Sequence, residues 1–203
     1  MSPKTLARLA LWTAAVLAAV ACLGLQRLQK DFDTQEPGLG LVPDFRLTAV
    51  DARGSTVLKN RDLLGQVWIA NFIFTHAHGL EPISSANMAR LQKRLPGRVR
   101  LVSFTVDPDD DTPPVLQRYA AQVWAEPGRW LFATGSRAAV DHLIRDGFKL
   151  PLVRDPEAPD ELRASPCAKF ALIDRRGRVR GYYDGLDEAA LAALIRDTGA
   201  SLK

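Results

Sequence analysis

One stretch of the sequence, from Val67 to Phe74, is apolar at every position except Asn71 and consists mostly of β-branched and aromatic residues. A strand with one face in water alternates apolar and polar residues, whereas a strand buried on both faces is a nearly continuous apolar run. This stretch has no polar face for the solvent. It therefore predicts a central strand in a sheet that carries packed layers on both sides.

The rest of the chain predicts elements that could supply those layers. Ser84 to Leu95 has Met88 and Leu91 at helical spacing and ends at Pro96-Gly97. Hydrophobic period and chain-breaking residues place the other elements in the same way. Further strands are predicted at 44–50, 55–58, 99–106, 130–132, 170–174 and 179–182, and further helices at 115–123, 136–146 and 187–196, with Asp187 as an N-cap.

The predicted order is two strands, two strand–helix units, a strand, a helix, two strands and a helix. An alternation of this kind predicts an α/β fold in which a mixed central sheet is flanked by helices. The first two strands form an N-terminal hairpin. One folded domain over residues 43–203 accounts for all of these elements, and no second domain is expected.

The N-terminus predicts membrane targeting. Residues 9–25 are uncharged and follow Lys4 and Arg8, and as a helix they would span about 25 Å, slightly less than the ~30 Å hydrocarbon core. Three interpretations stay open: an uncleaved anchor, a signal cleaved after Ala19-Val20-Ala21, and a lipoprotein acylated at Cys22. All three place the domain on the extracytoplasmic side, because the positive charge precedes the segment. Residues 1–8 would then be cytoplasmic, and residues 26–42 would form a tether.

Charge and cysteine content exclude some functions. The 27 basic and 23 acidic residues are interleaved along the chain, which gives little support to nucleic-acid binding. The two cysteines, Cys22 and Cys167, would lie on different sides of a membrane boundary, so no internal disulfide is expected.

Four sequence blocks resemble the Sco/SenC family, thioredoxin-fold proteins that bind copper and assist assembly of the binuclear copper site of cytochrome c oxidase. They are Trp68–Thr75, Leu101–Pro108 with Asp111-Thr112-Pro113 shortly after, Trp130–Gly135, and Phe170–Gly185. The resemblance implies a thioredoxin-like fold. It also implies a respiratory oxidase subunit or another assembly factor as the partner, and copper as the possible cofactor.

The family's working site is a Cys-x-x-x-Cys-Pro motif in the loop after the central strand, completed by a histidine four residues before the last long strand. This chain has Ala77 and Glu81 where the two cysteines belong and Pro166 where the histidine belongs. Thiolates favour Cu(I), and exchange with a disulfide needs a second nearby thiol. We therefore expect neither the family's thiolate copper site nor an enzymatic redox activity.

Four potential donors could still meet near this loop: His76, His78, Glu81 and Cys167. They could form a remodelled copper or zinc site, or they could be exposed loop residues left after a lost constraint. Cys167 could also be a lone reactive thiol or a small structural cysteine. Asp107 ends a strand at the edge where α/β sheets bind ligands, which makes it a site neighbour or a turn residue.

Three functions are consistent with these features. The first is a non-enzymatic binding or assembly factor for a respiratory oxidase. The second is a redox or peroxidase-like enzyme, which is disfavoured because no cysteine follows the central strand. The third is a metal carrier that uses the histidines, Glu81 and Cys167.

Overall fold

The structure is a computed structural model that describes residues 39–76, 80–153 and 165–203. Seven strands and four α-helices make up this part of the chain. The strands are β1 (Arg46–Asp51), β2 (Gly54–Lys59), β3 (Trp68–Ile73), β4 (Arg100–Thr105), β5 (Trp130–Thr134), β6 (Lys169–Ile173) and β7 (Val179–Asp184). The helices are α1 (Leu80–Arg94), α2 (Pro113–Gln122), α3 (Arg137–His142) and α4 (Glu188–Ser201). Short 3-10 turns cover Asn60–Leu63 and Ser165–Ala168, and a π-helical turn covers Leu143–Gly147.

The seven strands form one mixed sheet in the order β2-β1-β5-β4-β3-β6-β7. β3, β4 and β5 run parallel, and the neighbouring pairs on either side are antiparallel. The prediction of a mixed sheet with an N-terminal hairpin is therefore confirmed. β3 lies between β4 and β6, and all six of its residues are buried. The middle strand of the seven is β4, so β3 is an interior strand one position from the centre.

The alternating residues of β3 face two separate cores, which explains why the strand has no polar side. Trp68 and Phe72 belong to one core together with Phe104 and Phe148. The Phe72 and Phe148 rings meet edge to face with centroids 5.1 Å apart. Pairs of this kind contribute about 0.5–1.5 kcal/mol beyond the burial of their area. The opposite core contains Ile69 and Ile73, with residues of α1, α2 and α4.

Asn71, the one polar residue of β3, is held in a buried chain of hydrogen bonds. The Ser103 hydroxyl donates to Asn71 Oδ1 at 2.5 Å, and the Trp130 indole N–H donates to the Ser103 hydroxyl at 2.8 Å. Asn71 Nδ2 has no partner among the described residues. Buried polar groups are tolerated where they are hydrogen-bonded. These two hydrogen bonds connect β3 to β4 and β5.

Helix α1 begins earlier than predicted. The predicted start was Ser84, but the helix begins at Leu80 and includes Pro82 in its first turn. A proline there loses no hydrogen bond, because the first N–H groups of a helix have no partner within it. Glu81 therefore lies in the first turn of α1, whereas the sequence placed it in the preceding loop.

Residues before Pro43, the predicted start of the domain, also pack against it. Val42 is buried, and its N–H donates to the Gly177 carbonyl at 2.9 Å. The Leu39 N–H donates to the Val179 carbonyl, and the Gly40 carbonyl accepts from the Val179 N–H, each at 3.0 Å. These residues, which the sequence placed in a tether, are packed against the start of β7.

The predicted membrane segment, residues 9–25, lies outside the described residues. Within the described ranges, no helix is both long enough and apolar enough to cross a membrane.

Candidate functional site

The candidate site lies at the edge of the sheet where the parallel strands β3 and β4 end. Two loops begin there, one after Ile73 and one after Thr105. The turn Ser165–Ala168 precedes β6, which is antiparallel to β3 and therefore starts at the same edge. Ligands of open α/β sheets bind in the crevice at this edge.

Asp111 joins the two loops. Its carboxylate accepts a hydrogen bond from the Thr105 hydroxyl at 2.5 Å, at the end of β4. It also accepts bonds from the Thr75 hydroxyl and from the Thr75 backbone N–H, the latter at 3.4 Å. The side chain of Asp111 is fully buried. Three donors, from the end of β4 and from the loop after β3, thus converge on one carboxylate, which fixes the chain as it leaves β3.

Burial raises the pKa of Asp111 above its ordinary value. The bonds from Thr105 and Thr75 oppose this rise, and a charge on His76 would oppose it further. The cost of removing the carboxylate from water therefore exceeds the stabilisation of the charge by its neighbours.

His76 lies beside this carboxylate and faces solvent. Its side chain is 57% exposed, and its Nδ1 is 3.7 Å from Asp111 Oδ1 and 3.3 Å from the Thr75 hydroxyl oxygen. A carboxylate near one ring nitrogen is the arrangement that commonly orients a metal-binding histidine. Of the two predicted ligands whose side chains the structure describes, His76 and Cys167, His76 is the one whose position and surroundings could suit a metal.

Cys167 is fully buried in the aromatic core, within the 3-10 turn before β6. Its carbonyl accepts a hydrogen bond of 2.7 Å from the Ser84 hydroxyl, which ties the turn to α1. A thiol must be accessible to exchange with a disulfide or an external metal donor. The burial favours the structural interpretation of Cys167 over the reactive one.

Asp107 shapes the loop after β4. Its N–H donates to the Thr105 hydroxyl at 2.9 Å, and its carbonyl accepts from the Asp111 N–H at 2.9 Å. Its carboxylate lies 3.8 Å from Arg137, which also pairs with Asp109. Asp107 is therefore both a turn residue and a neighbour of the site.

The sequence interpretation singled out Asp107 and missed the carboxylate at the centre. Asp111 belongs to one of the four family-like blocks, so a signal for it was present. The acids of this loop look alike in sequence. Asp107 and Asp111 are both buried, and the bonds from Thr75 and Thr105 are what distinguish Asp111.

The structure does not describe the side chains of the two remaining predicted ligands. His78 lies outside the described residues, and the side chain of Glu81 is likewise not described. Among the residues that the structure covers, no group of three His, Cys, Asp or Glu side chains could hold a metal ion. The remodelled metal site stays a prediction.

Comparisons with known proteins agree on the family. The SCO1/SenC family model matches residues 34–198. A SCO1 protein homolog of Bacillus subtilis (strain 168) is 34% identical over 139 residues, which are 66% of this chain and 70% of that protein.

Solved structures of Sco proteins share the fold. A SCO1/SenC family lipoprotein from Bacillus anthracis str. Ames is 30% identical, with a TM-score of 0.69 over 83% of this chain and 99% of that one. BsSco is 28% identical, with a TM-score of 0.67 over 83% of this chain and 97% of that one. BsSco has a disulfide switch and is a member of the Sco family of cytochrome c oxidase assembly proteins. Copper-bound ScoI of Arabidopsis thaliana is 15% identical, with a TM-score of 0.63 over 79% and 99%, and shows the fold alone. The thioredoxin-like fold expected from the sequence is confirmed, and the chain belongs to the SCO1/SenC family.

Proposed function

We propose that this chain is an extracytoplasmic, membrane-anchored assembly factor for a respiratory oxidase that acts by binding a partner protein, without a thiolate copper site and without enzymatic activity. The observation that carries the proposal is the absence of thiols from the site. No cysteine occurs between Thr75 and Pro82, and the cysteine near the site, Cys167, is fully buried. The family membership supports the link to cytochrome c oxidase assembly, because BsSco belongs to a family described in those terms.

The side chains at these positions differ from the two thiolates and the imidazole with which the family binds copper. Cu(I) prefers thiolate and thioether ligands, and alanine at position 77 offers no donor. Pro166, where the family's histidine belongs, is buried and likewise has no side-chain donor. The residues present therefore favour a role in which the preserved fold supplies a binding surface.

A second function, a metal carrier with a remodelled site, is favoured by the geometry of His76. The exposed imidazole beside the Asp111 carboxylate could supply one ligand, and His78, Glu81 and Cys167 are the predicted companions. Imidazole and carboxylate suit Cu(II) or Zn(II), whereas Cu(I) would lose its preferred thiolates. Neutral imidazole is required, so metal affinity should fall as the pH is lowered.

Metal titration of the purified full chain separates the two functions. We expect no tight Cu(I) binding, and the same weak Cu(II) affinity in the natural protein and in a His76→Ala, His78→Ala double variant. Cu(II) binding that the double variant loses would establish the carrier function and contradict the proposal. Tight Cu(I) binding that Cys167→Ser abolishes would contradict it as well.

A positive control restores the family's ligands. The triple variant Ala77→Cys, Glu81→Cys, Pro166→His should bind Cu(I) tightly, because it recreates two thiolates and an imidazole on the same fold. Binding in the triple variant alone would show that the missing side chains, and not the fold, account for the weak binding of the natural chain.

Oxidase activity in cells tests the role itself. Deletion of the gene should lower cytochrome c oxidase activity, and both the natural chain and the double histidine variant should restore it. Unchanged oxidase activity after deletion would overturn the assignment.

The proposed location rests on residues 9–25 and on a relative described as a lipoprotein. The protein should stay with the membrane fraction and be digested by protease added outside the cytoplasmic membrane. Loss from membranes in Cys22→Ser would identify lipid attachment in place of an uncleaved anchor, and protection from the protease would contradict the proposed side.

A further inference from the structure

A basic pocket lies at the N-terminal ends of the parallel strands, opposite the candidate site at their C-terminal ends. It has a volume of about 410 Å³ and is lined by Arg98, Arg100, Arg129 and Arg175. Val67, which also lines it, immediately precedes β3, whose other end leads to Thr75. A strand rises about 3.3 Å per residue, so the two sites are about 25 Å apart along β3. Both could be occupied at the same time.

None of the described residues that line this pocket carries a side-chain carboxylate. Of its four arginines, Arg129 forms an ion pair with a described acid, Glu126, at 3.0 Å. The guanidinium of Arg129 also donates to the carbonyls of Leu95 and Pro96, which places it across the end of α1. Arg129 is thus a structural residue whose charge is compensated.

The next two arginines are positioned by neutral acceptors. Arg100 Nε donates to Gln66 Oε1 at 2.9 Å, and the same guanidinium donates to the Gly128 carbonyl. Arg175 Nη2 donates to the Leu202 carbonyl at 2.7 Å. Such bonds fix the direction of a guanidinium but leave its positive charge uncompensated. Each of these guanidinium groups also has N–H donors that take no part in the bonds just described.

Arg98 completes the pocket from the turn between α1 and β4. It is exposed, and it forms no hydrogen bond or ion pair with the described part of the chain. Gly65 and Gly97 form part of the wall without side chains, and a Cβ at Gly97 would meet nothing within 4 Å. The wall therefore leaves free space beside Arg98, which follows Gly97 in the chain.

We propose that this pocket binds a phosphate group. Guanidinium groups present several N–H donors in a planar fork that matches the oxygens of phosphate, and clustered like charges are stabilised by a multivalent anion. Two sources share this chemistry: free phosphate or diphosphate, and the phosphodiester head group of an anionic lipid. The site uses none of the residues of the candidate site at the other edge of the sheet.

Calorimetric titration of the full chain in a non-ionic detergent, at constant ionic strength, tests the proposal. Inorganic diphosphate should bind with a stoichiometry of one. Arg98→Gln should weaken binding at least about tenfold, because it removes a charged donor of hydrogen bonds to the anion. Arg98 has no partner among the residues that the structure describes, so this change should leave thermal stability unaltered.

The matched control is Arg118→Gln, an exposed arginine of α2 outside the pocket. Its affinity for diphosphate should stay within about twofold of that of the natural chain. No saturable binding in the natural chain, or equal weakening in both variants, would overturn the proposal, because general surface charge would then explain the data.

Dihexanoyl phosphatidylglycerol, titrated as a monomer, distinguishes the two sources. Tighter binding of diphosphate would identify a free phosphate as the ligand, and tighter binding of the lipid would identify a head group. In either case the tighter ligand must depend on Arg98, and a ligand that binds equally well to Arg98→Gln would refute the site.

Discussion

Replacing Asp111 tests the most constrained contact of the candidate site. Asp111→Ala would remove an acceptor shared by the Thr105 hydroxyl and by the hydroxyl and N–H of Thr75. A typical intramolecular hydrogen bond contributes about 1 kcal/mol net, so three give a loss of about 3 kcal/mol in the free energy of unfolding. Asp111→Asn keeps one oxygen acceptor in the same shape and should lose about 1–2 kcal/mol near pH 7.

The pH dependence of this loss follows from the pKa of Asp111, which burial raises. A carboxyl whose pKa is higher in the folded than in the unfolded protein binds its proton more tightly when folded. Its contribution to stability is therefore fully present below the unfolded pKa of about 3.9 and is lost as the pH rises through the folded pKa. The stability advantage of the natural protein over Asp111→Asn should shrink across this window and stay constant at higher pH.

Urea denaturation of a fragment covering Gly38–Lys203, which forms one compact unit, measures these differences between pH 4 and 8. The control is Asp109→Asn in the same loop, where an exposed carboxylate pairs with Arg137 and should contribute less than about 1 kcal/mol. An advantage over Asp111→Asn that grows with pH would refute the reasoning, because burial would then not dominate the pKa of Asp111.

Three further experiments, the last with a matched control, test the packing of the domain. Cys167 is fully buried, so a thiol reagent should label it at the rate of unfolding in the native fragment and at once in urea; rapid native labelling would contradict its burial. The Tyr182 hydroxyl donates to the Phe148 carbonyl, so Tyr182→Phe should lower the free energy of unfolding by about 1 kcal/mol. The same change should remove from the ultraviolet spectrum a phenol titration with a pKa of about 12. A Cβ at Gly185 would lie 2.7 Å from a ring carbon of Phe170, so Gly185→Ala should cost about 1–3 kcal/mol in urea unfolding. Gly97→Ala, with nothing within 4 Å, should change stability by less than about 1 kcal/mol, and equal losses at both glycines would contradict the steric argument.

The strands and helices could be predicted because their signals are local. The apolar run around Asn71 predicted a strand buried on both faces, and β3 is buried at every residue. Asp187 was predicted as an N-cap, and its carboxylate accepts from the Ala189 N–H at 3.0 Å. Hydrophobic periodicity, helix caps and chain-breaking residues act over a few positions, so their effect can be inferred without the rest of the chain.

The features that were missed depend on contacts between distant parts of the chain or on finer backbone geometry. The predicted helix 136–146 ends in a π turn, in which the Phe148 N–H bonds to the Leu143 carbonyl, and no periodicity separates such a turn from an α-helix. Asp107 and Asp111 are both buried, and Asp111 differs in the hydrogen bonds that its carboxylate accepts from Thr75 and Thr105. Which of several similar acids receives these bonds is decided by the tertiary packing of both strand ends.

The pairing of Leu39 to Val42 with the start of β7 has a consequence for aggregation. A sheet edge that leaves backbone donors and acceptors unpaired can recruit a strand from another molecule. The N–H groups of Leu39 and Val42 bond to the carbonyls of Val179 and Gly177, so this part of the edge is occupied by the chain's own preceding segment. A fragment cut at Pro43 would uncover those carbonyls and the apolar side chains beneath them. Such a fragment should associate edge to edge, whereas one that keeps Leu39 should stay monomeric at the same concentration.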